Sequence, residues 1–296
     1  RRALPPVDGA PVRPPEPARG ARGESATPAI DAPIAELLAR PLAQPDPEVV
    51  AAIEAGPIDP ASALPRGGLD RLLDPRPLAG ESGWCTLADG VGYVAVRTAM
   101  LGITGEMIDW WFDWHARDPL RYRAWHPAAH FGNSLEEPRH PAAKAHWGAT
   151  HHPVEDVGTG RVRARIEFVA PTALGFSTDA LDHPDVATIV CGWAGDDRRR
   201  VRHTMMAHVF LNQPDGVALR SRFWLGAALR PHLPPPLSTA GALLLNNRLV
   251  RRLALPAGLP RALATHCAEE YANLARILPG VHRRYGGASA TTASRA

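Results

Sequence analysis

The sequence predicts an α+β fold in which a curved antiparallel sheet grips a long C-terminal helix. Three observations predict it. Alternating, β-branched segments fill the middle of the chain, separated by Gly, Asp or Pro turns; a Pro-rich break follows at Pro231 to Pro236; beyond it the apolar pattern turns helical and runs long.

Taken in order, residues 1–28 read as an extended or disordered leader. Sixteen of the 31 prolines fall in the first 80 residues, and a stretch dominated by Pro, Ala, Gly and Arg has too little apolar surface to order itself. Residues 29–80 carry brief, Pro-bounded helical patterns (Ile34, Leu37, Leu38; Val49, Val50, Ile53) that need a partner surface, either the main domain or a second subunit. The main domain spans residues 81–286, with a flexible tail at 287–296. Within it, residues 91 to 99 read as a strand and Thr104 to His115 as a helix with a Thr N-cap. Arg161 to Val169, Val186 to Trp193, Val201 to Leu211 and Val217 to Leu225 supply further strands. The run Arg198 to Arg200, beside Asp196 and Asp197, reads as a solvated hairpin tip. Helical patterns occupy 239 to 252 and Leu259 to Leu278, the last expected to stop at Pro279 and Gly280.

Composition excludes several classes. A net charge of +3, from 33 basic and 30 acidic residues, leaves no nucleic-acid patch, and no apolar run is long enough to span a bilayer, so neither nucleic acid nor membrane is expected as a partner. Cys85, Cys191 and Cys267 are an odd set without a CxxC pair, which fits a reducing cytoplasm, and no apolar segment follows Arg1 and Arg2 to make a secretory signal. Signatures of serine hydrolases, P-loop enzymes and HExxH zinc proteases are absent.

The chemistry-bearing residues cluster. His266 and Glu270, four apart on the C-terminal helix, project from one face, the spacing by which a helix offers two ligands to one metal ion and equally a surface hydrogen bond; Glu269 is the competing carboxylate. His126, His130, His140, His146, His151 and His152 crowd between Tyr122 and Pro153, just ahead of Glu155 and Asp156. His126 and His130 are also four apart, but Pro127 places His126 at a helix entry or in a loop. In the strand VRHTMMAHVFLNQ, strict alternation sets His203 and His208 on opposite faces; Arg220, Arg222 and Trp224 share a face that reads equally as a salt-bridged exterior.

The words GYVAVRTAMLGITGEMIDWWFDWH, RYRAWHPAAHF, HHPVEDVG, RSRFWLG and HCAEEYANLARILPG, in this order, resemble the 2,4-diacetylphloroglucinol hydrolase family, which includes phloretin hydrolase-like enzymes, over about residues 80 to 282. The resemblance implies a helix-grip fold like that of the birch-pollen allergen and START proteins, and an N-terminal segment serving a homodimer. It implies a zinc-dependent hydrolase that cleaves the carbon–carbon bond between an acyl group and a polyhydroxylated aromatic ring, releasing a carboxylic acid. Carried over word by word, the metal set is His126, Glu155, His266 and Glu270, with Mn2+ or Fe2+ left open by the mixed nitrogen and oxygen donors. His208, with His203 and Tyr122, is expected in proton transfer, and Asn133, His130, Arg222 and Trp224 at a small aromatic ketone. The alternatives are a cyclase or lyase acting on a polyketide-like ketone in the same pocket, and a binding protein for an aromatic ligand.

Overall fold

A computed structural model describes residues 31–287; the expected leader over 1–28 and all but the first residue of the tail lie outside them. Two short helices open the described chain, α1 (Ala32–Ala39) and α2 (Pro47–Glu54), the second started by the Asp46 carboxylate accepting from the Glu48 amide with Pro47 behind it. Tight helical turns follow at Pro60–Ser62 and Leu69–Leu73.

Strands β1 (Gly83–Thr86) and β2 (Gly92–Leu101) precede α3 (Gly105–Trp114) and α4 (Pro119–Trp125). Thr104 caps α3 as expected, its hydroxyl accepting from the Met107 amide at 3.3 Å. Gly105 is required where it stands: a Cβ there would meet the Ala187 carbonyl oxygen at 2.3 Å, so only glycine lets α3 seat against the sheet. Short strands β3 (His130–Gly132), β4 (Leu135–Glu136), β5 (Thr150–His151) and β6 (Val154–Asp156) lead into β7 (Arg161–Val169). After the turn of helix α5 (Pro171–Leu174) come three long strands, β8 (Val186–Asp196), β9 (Val201–Gln213) and β10 (Gly216–Pro231). Helices α6 (Leu237–Leu245), α7 (Arg248–Ala254) and α8 (Leu259–Tyr285) close the described chain.

All strand pairs are antiparallel, in the order β1-β2-β10-β9-β8-β7-β5-β4, with β6 joining β3 to β7. This is the expected α+β helix-grip arrangement. The long helix α8 buries Ala264, Cys267, Tyr271, Leu274 and Leu278 against Val94, Val190, Phe210 and Leu219 on the sheet's inner face. Alternation along the strands sends their other side chains to the reverse face. There Tyr93, Ile189, Val209 and Trp224 pack under Leu64, Leu69, Leu72, Leu73 and Phe176. The segment between α2 and β1 therefore covers the back of the sheet, while Ile34 of α1 and Ile53 of α2 join the inner core.

Two expectations are corrected. Helix α8 runs through Pro279 and Gly280 to Tyr285. Proline removes one backbone donor, but Ile277, Leu278 and Val281 on either side are buried, and that packing carries the helix past the break. The pattern at 239 to 252 is two helices, separated where Asn247 caps α7 by accepting from the Val250 amide at 3.0 Å. The three cysteines are buried and unpaired.

Candidate metal centre and cavity

A cavity of about 360 Å3 opens between the sheet and α8. Phe112, Trp125, Phe168, Met206, Phe223 and Leu263 give it an apolar lining, and Tyr122, Glu155, His266 and Glu270 meet at its wall. A second, more polar cleft of about 870 Å3 lies outside, beside α2, and His266 and Val157 border both spaces.

Local structure explains how the wall is assembled. Helix α4 starts at the Asp118 cap and ends at Trp125, because His126 precedes a proline and cannot stay helical. The chain then turns so that the His130 amide bonds the His126 carbonyl at 2.8 Å, and enters β3. In the β3–β6 ladder His130 sits opposite Glu155. The His130 Nδ1 lies 3.1 Å from the Tyr122 carbonyl oxygen, which only accepts, so Nδ1 carries the proton and Nε2 presents its lone pair. That Nε2 lies 3.4 Å from His266 Nε2, 3.6 Å from Glu270 Oε2 and 4.0 Å from Glu155 Oε2; His266 Nε2 is 3.7 Å from Glu270 Oε2. Tyr122 stacks on His130 at 4.1 Å between ring centres, and its hydroxyl donates to Glu155 Oε2.

His126 is not part of this convergence. Its Nδ1 accepts from the Ala129 amide at 3.1 Å, so Nε2 bears the proton and donates to Glu269 Oε2, also at 3.1 Å. Both nitrogens are engaged, and the ring stacks on His266 at 5.1 Å. His130, and not the His126 that the sequence words suggested, is the histidine brought together with Glu155 and His266. Two histidines four apart near a proline gave no means of choosing between them; the choice rests on the β3–β6 register, which joins residues 25 apart.

The electrostatics of the cluster are dominated by burial. Burial raises the carboxyl of Glu155, although the Tyr122 hydroxyl and His126 oppose it, and burial with the neighbouring Glu155 carries Glu270 well above the ordinary range. Burial and the nearby His266 hold His130 well below its ordinary value, and burial with His126 lowers His266 to about 3. Among the described residues no Lys or Arg lies within ion-pair distance of Glu155 or Glu270, whose side chains are 14% and 13% exposed. Four donors about 2.1 Å from a common centre would stand about 3.4 Å apart at tetrahedral angles. The ligand atoms of His130, Glu155 and His266 lie within 4.8 Å of one another, and Glu270 stands 3.6 and 3.7 Å from the two histidines, so two neutral imidazoles and a carboxyl, with a second carboxyl beside them, fit a divalent ion.

The remaining candidates divide. His208 and His203 both line the cavity, against the alternation expected for a regular strand. The strand is not regular: on β8, Ala194 pairs with Thr204 and Gly195 with Arg202, so His203 is a bulge residue. His208 Nδ1 lies 2.9 Å from the Ser221 hydroxyl, and burial lowers the ring to about 3. Asn133 is buried at the cavity, and neither atom of its amide group has a hydrogen-bond partner among the described residues. Arg222 and Trp224 face the other way. Trp224 donates to the Leu64 carbonyl at 2.9 Å inside the reverse core, and Arg222 pairs with Glu81 at 3.1 Å. The even-numbered positions around Arg222 belong to the reverse face, so neither reaches the cavity; Arg222 is also 1% exposed, which rules out the salt-bridged exterior. Tyr271, which the sequence did not single out, lines the cavity 5.1 Å from His208.

Fold and cluster together define a helix-grip protein whose apolar cavity ends at a buried His/carboxylate centre. The family model described as the DAPG hydrolase PhiG domain matches residues 66–283, and the chain belongs to that family. It is 29% identical over 248 residues to the phloretin hydrolase of Eubacterium ramulus, covering 79% of this chain and 84% of the relative. With the 2,4-diacetylphloroglucinol hydrolase of Pseudomonas protegens it shares 31% identity over 225 residues, 74% of this chain and 73% of the relative. No described helix is long and apolar enough to cross a membrane.

Proposed function

We propose that the chain is a zinc-dependent hydrolase of acylphloroglucinol-type ketones, cleaving the carbon–carbon bond between ring and acyl group and releasing a carboxylic acid. The observation that carries this reading is the convergence of His130, Glu155 and His266, with Glu270 beside the two histidines and no Lys or Arg partner for the two carboxyls among the described residues, at the wall of an apolar cavity in a chain of this family. These four residues would hold the ion. When bound, the ion supplies Lewis acidity to an acyl carbonyl, a contribution of several kcal/mol.

The protein's own groups supply the rest. Phe112, Trp125 and Phe168 form an apolar slot for an aromatic ring. The amide of Asn133 provides one donor and one acceptor for ring hydroxyls, which explains a buried amide group without a protein partner. Tyr122 is held protonated, burial and Glu155 raising its phenol well above the ordinary value, and it orients the Glu155 carboxyl. The ring carbon takes up a proton as its keto tautomer, water adds to the acyl carbon, and the bond between the two carbons breaks. His208, neutral and anchored through Ser221, relays that proton from the water to the ring; oxygen and one hydrogen leave with the acid, and the other hydrogen stays on the ring. Hydroxyls ortho and para to the bond make the ring a competent leaving group, because it departs as an enol.

The test joins metal analysis of the purified protein to an assay of acid released from an acylphloroglucinol. One equivalent of metal is expected, with turnover lost on chelation and restored by Zn2+. Full activity after complete metal removal would overturn the reading.

A further inference from the structure

Helices α6 and α7 are built inside out. A helix facing water turns its polar residues outward, yet here the buried residues are Ser238 and Arg251, while Leu237, Leu243, Leu244, Leu249 and Leu253 are 61%, 81%, 76%, 67% and 80% exposed. Polar contacts fasten the pair to the domain from beneath. Arg251 donates to the Gly226 carbonyl at 2.9 Å and to the Asp89 carbonyl at 3.0 Å, and the Asn246 side chain bonds both the amide and the carbonyl of Leu229 at 2.9 Å. Arg248 and Arg252 stand exposed among the leucines.

We propose that this helix pair docks on an anionic membrane surface, with the leucines entering the interface and the arginines meeting lipid phosphates. Charge decides between a lipid surface and a second copy of the chain. Between Asp215 and Glu269 the sequence has no acidic residue, and the neighbouring Asp89 carboxylate is already taken by Arg66 at 3.3 Å and Arg251 at 3.6 Å, so a two-fold contact through this patch would bring Arg248 and Arg252 against their own copies without a spare carboxylate to pair them. Anionic headgroups complement the same leucine and arginine face. The absence of a spanning helix is no objection, because surface docking needs none. Position gives the contact a use: α7 ends at Ala254, and Ala254, Leu255, Pro256 and Leu259 line the cavity, so docking would bring the cavity close to lipid. Delivery of an apolar aromatic ketone from the bilayer rests on the function proposed above; the membrane contact itself does not.

Vesicle flotation of the full chain tests it. The protein is expected to float with vesicles containing about 30% phosphatidylglycerol in phosphatidylcholine and to remain behind with phosphatidylcholine alone. The exposed pairs Leu244→Ser/Leu253→Ser and Arg248→Glu/Arg252→Glu should each lower the bound fraction about tenfold. Failure of the wild type to float, or flotation of both variants like wild type, would overturn the proposal. So would light scattering that shows a dimer dissociated by Leu244→Ser/Leu253→Ser without any flotation, which would assign the face to self-association. Flotation does not depend on turnover, so loss of the hydrolase reading would leave this result standing.

Discussion

On the reverse face of the sheet, Arg220 and Arg222 are 2% and 1% exposed; on the inner face, the side chains of Glu155 and Glu270 are partly buried at 14% and 13%. The two regions resolve buried charge in opposite ways. Arg220 bonds Glu81 and the carbonyls of Leu72, Asp74 and Arg76, and Arg222 takes the second Glu81 oxygen. Burial alone would raise the Glu81 carboxyl, but Arg220, the Leu78 amide and Arg222 outweigh it and hold it below its ordinary value. That network gives both guanidiniums a carboxylate from within the chain, leaving Arg222 Nε as its one buried donor without a partner among the described residues, and fixes the covering segment to the sheet. The inner cluster gathers metal-ligating donors with no Lys or Arg beside its two carboxyls among the described residues, the arrangement on which the metal site proposed above rests.

The largest effect that would sharpen this contrast is on the inner face. His130→Ala should remove the metal and lower kcat/KM by about 10^3-fold or more, a loss of ~4 kcal/mol. His126→Ala should weaken metal affinity only about tenfold, through loss of its stacking and its bond to Glu269. Metal titration and kinetics of the two variants decide between them, and equal effects would put His126 back among the ligands. On the reverse face, Glu81→Gln should cost about 3 kcal/mol of stability by leaving two buried guanidiniums short of a counter-charge. The folded fraction should keep wild-type KM, and a changed KM with unchanged melting would break the comparison.

Acid should act on the two faces in separate windows. Burial, opposed by the Trp111 carbonyl and Asp113, lowers His115 to about 4, and burial likewise lowers His146 to about 4. Above pH ~6.5 folded and unfolded chains carry both rings neutral; below it the unfolded chain takes up protons that the native state refuses, so stability falls toward pH ~4. Each ring should account for roughly 2 kcal/mol between pH 7 and 5. The Glu81 network, whose folded carboxyl titrates below its unfolded value, holds through that window and fails only as pH falls through the lowered value. Melting curves of wild type and His115→Phe across this range provide the check; the variant should be flatter, and a wild-type curve without slope above pH 5 would contradict the assignment.

Much of the fold was legible in the sequence because its signals are local. The Thr104 cap, strict alternation over Arg161–Val169, the Pro231 to Pro236 break and the α8 pattern each involve residues within a turn or a strand of one another. The i, i+4 spacing of His266 and Glu270 was legible for the same reason, and the family words carried Glu155. What the tertiary structure decided depends on contacts between distant segments. The β3–β6 register set His130 rather than His126 opposite Glu155, and a bulge defined only by the neighbouring strand turned His203 toward the cavity. Glu81, 139 residues from Arg220, claimed Arg220 and Arg222 for the reverse core. A sequence specifies hydrogen-bonding and apolar periods within an element, whereas pairing register and the face a side chain occupies arise when elements meet. On its own the sequence therefore determined the helix-grip order of elements and three members of the candidate cluster, and packing determined which histidine stands beside them.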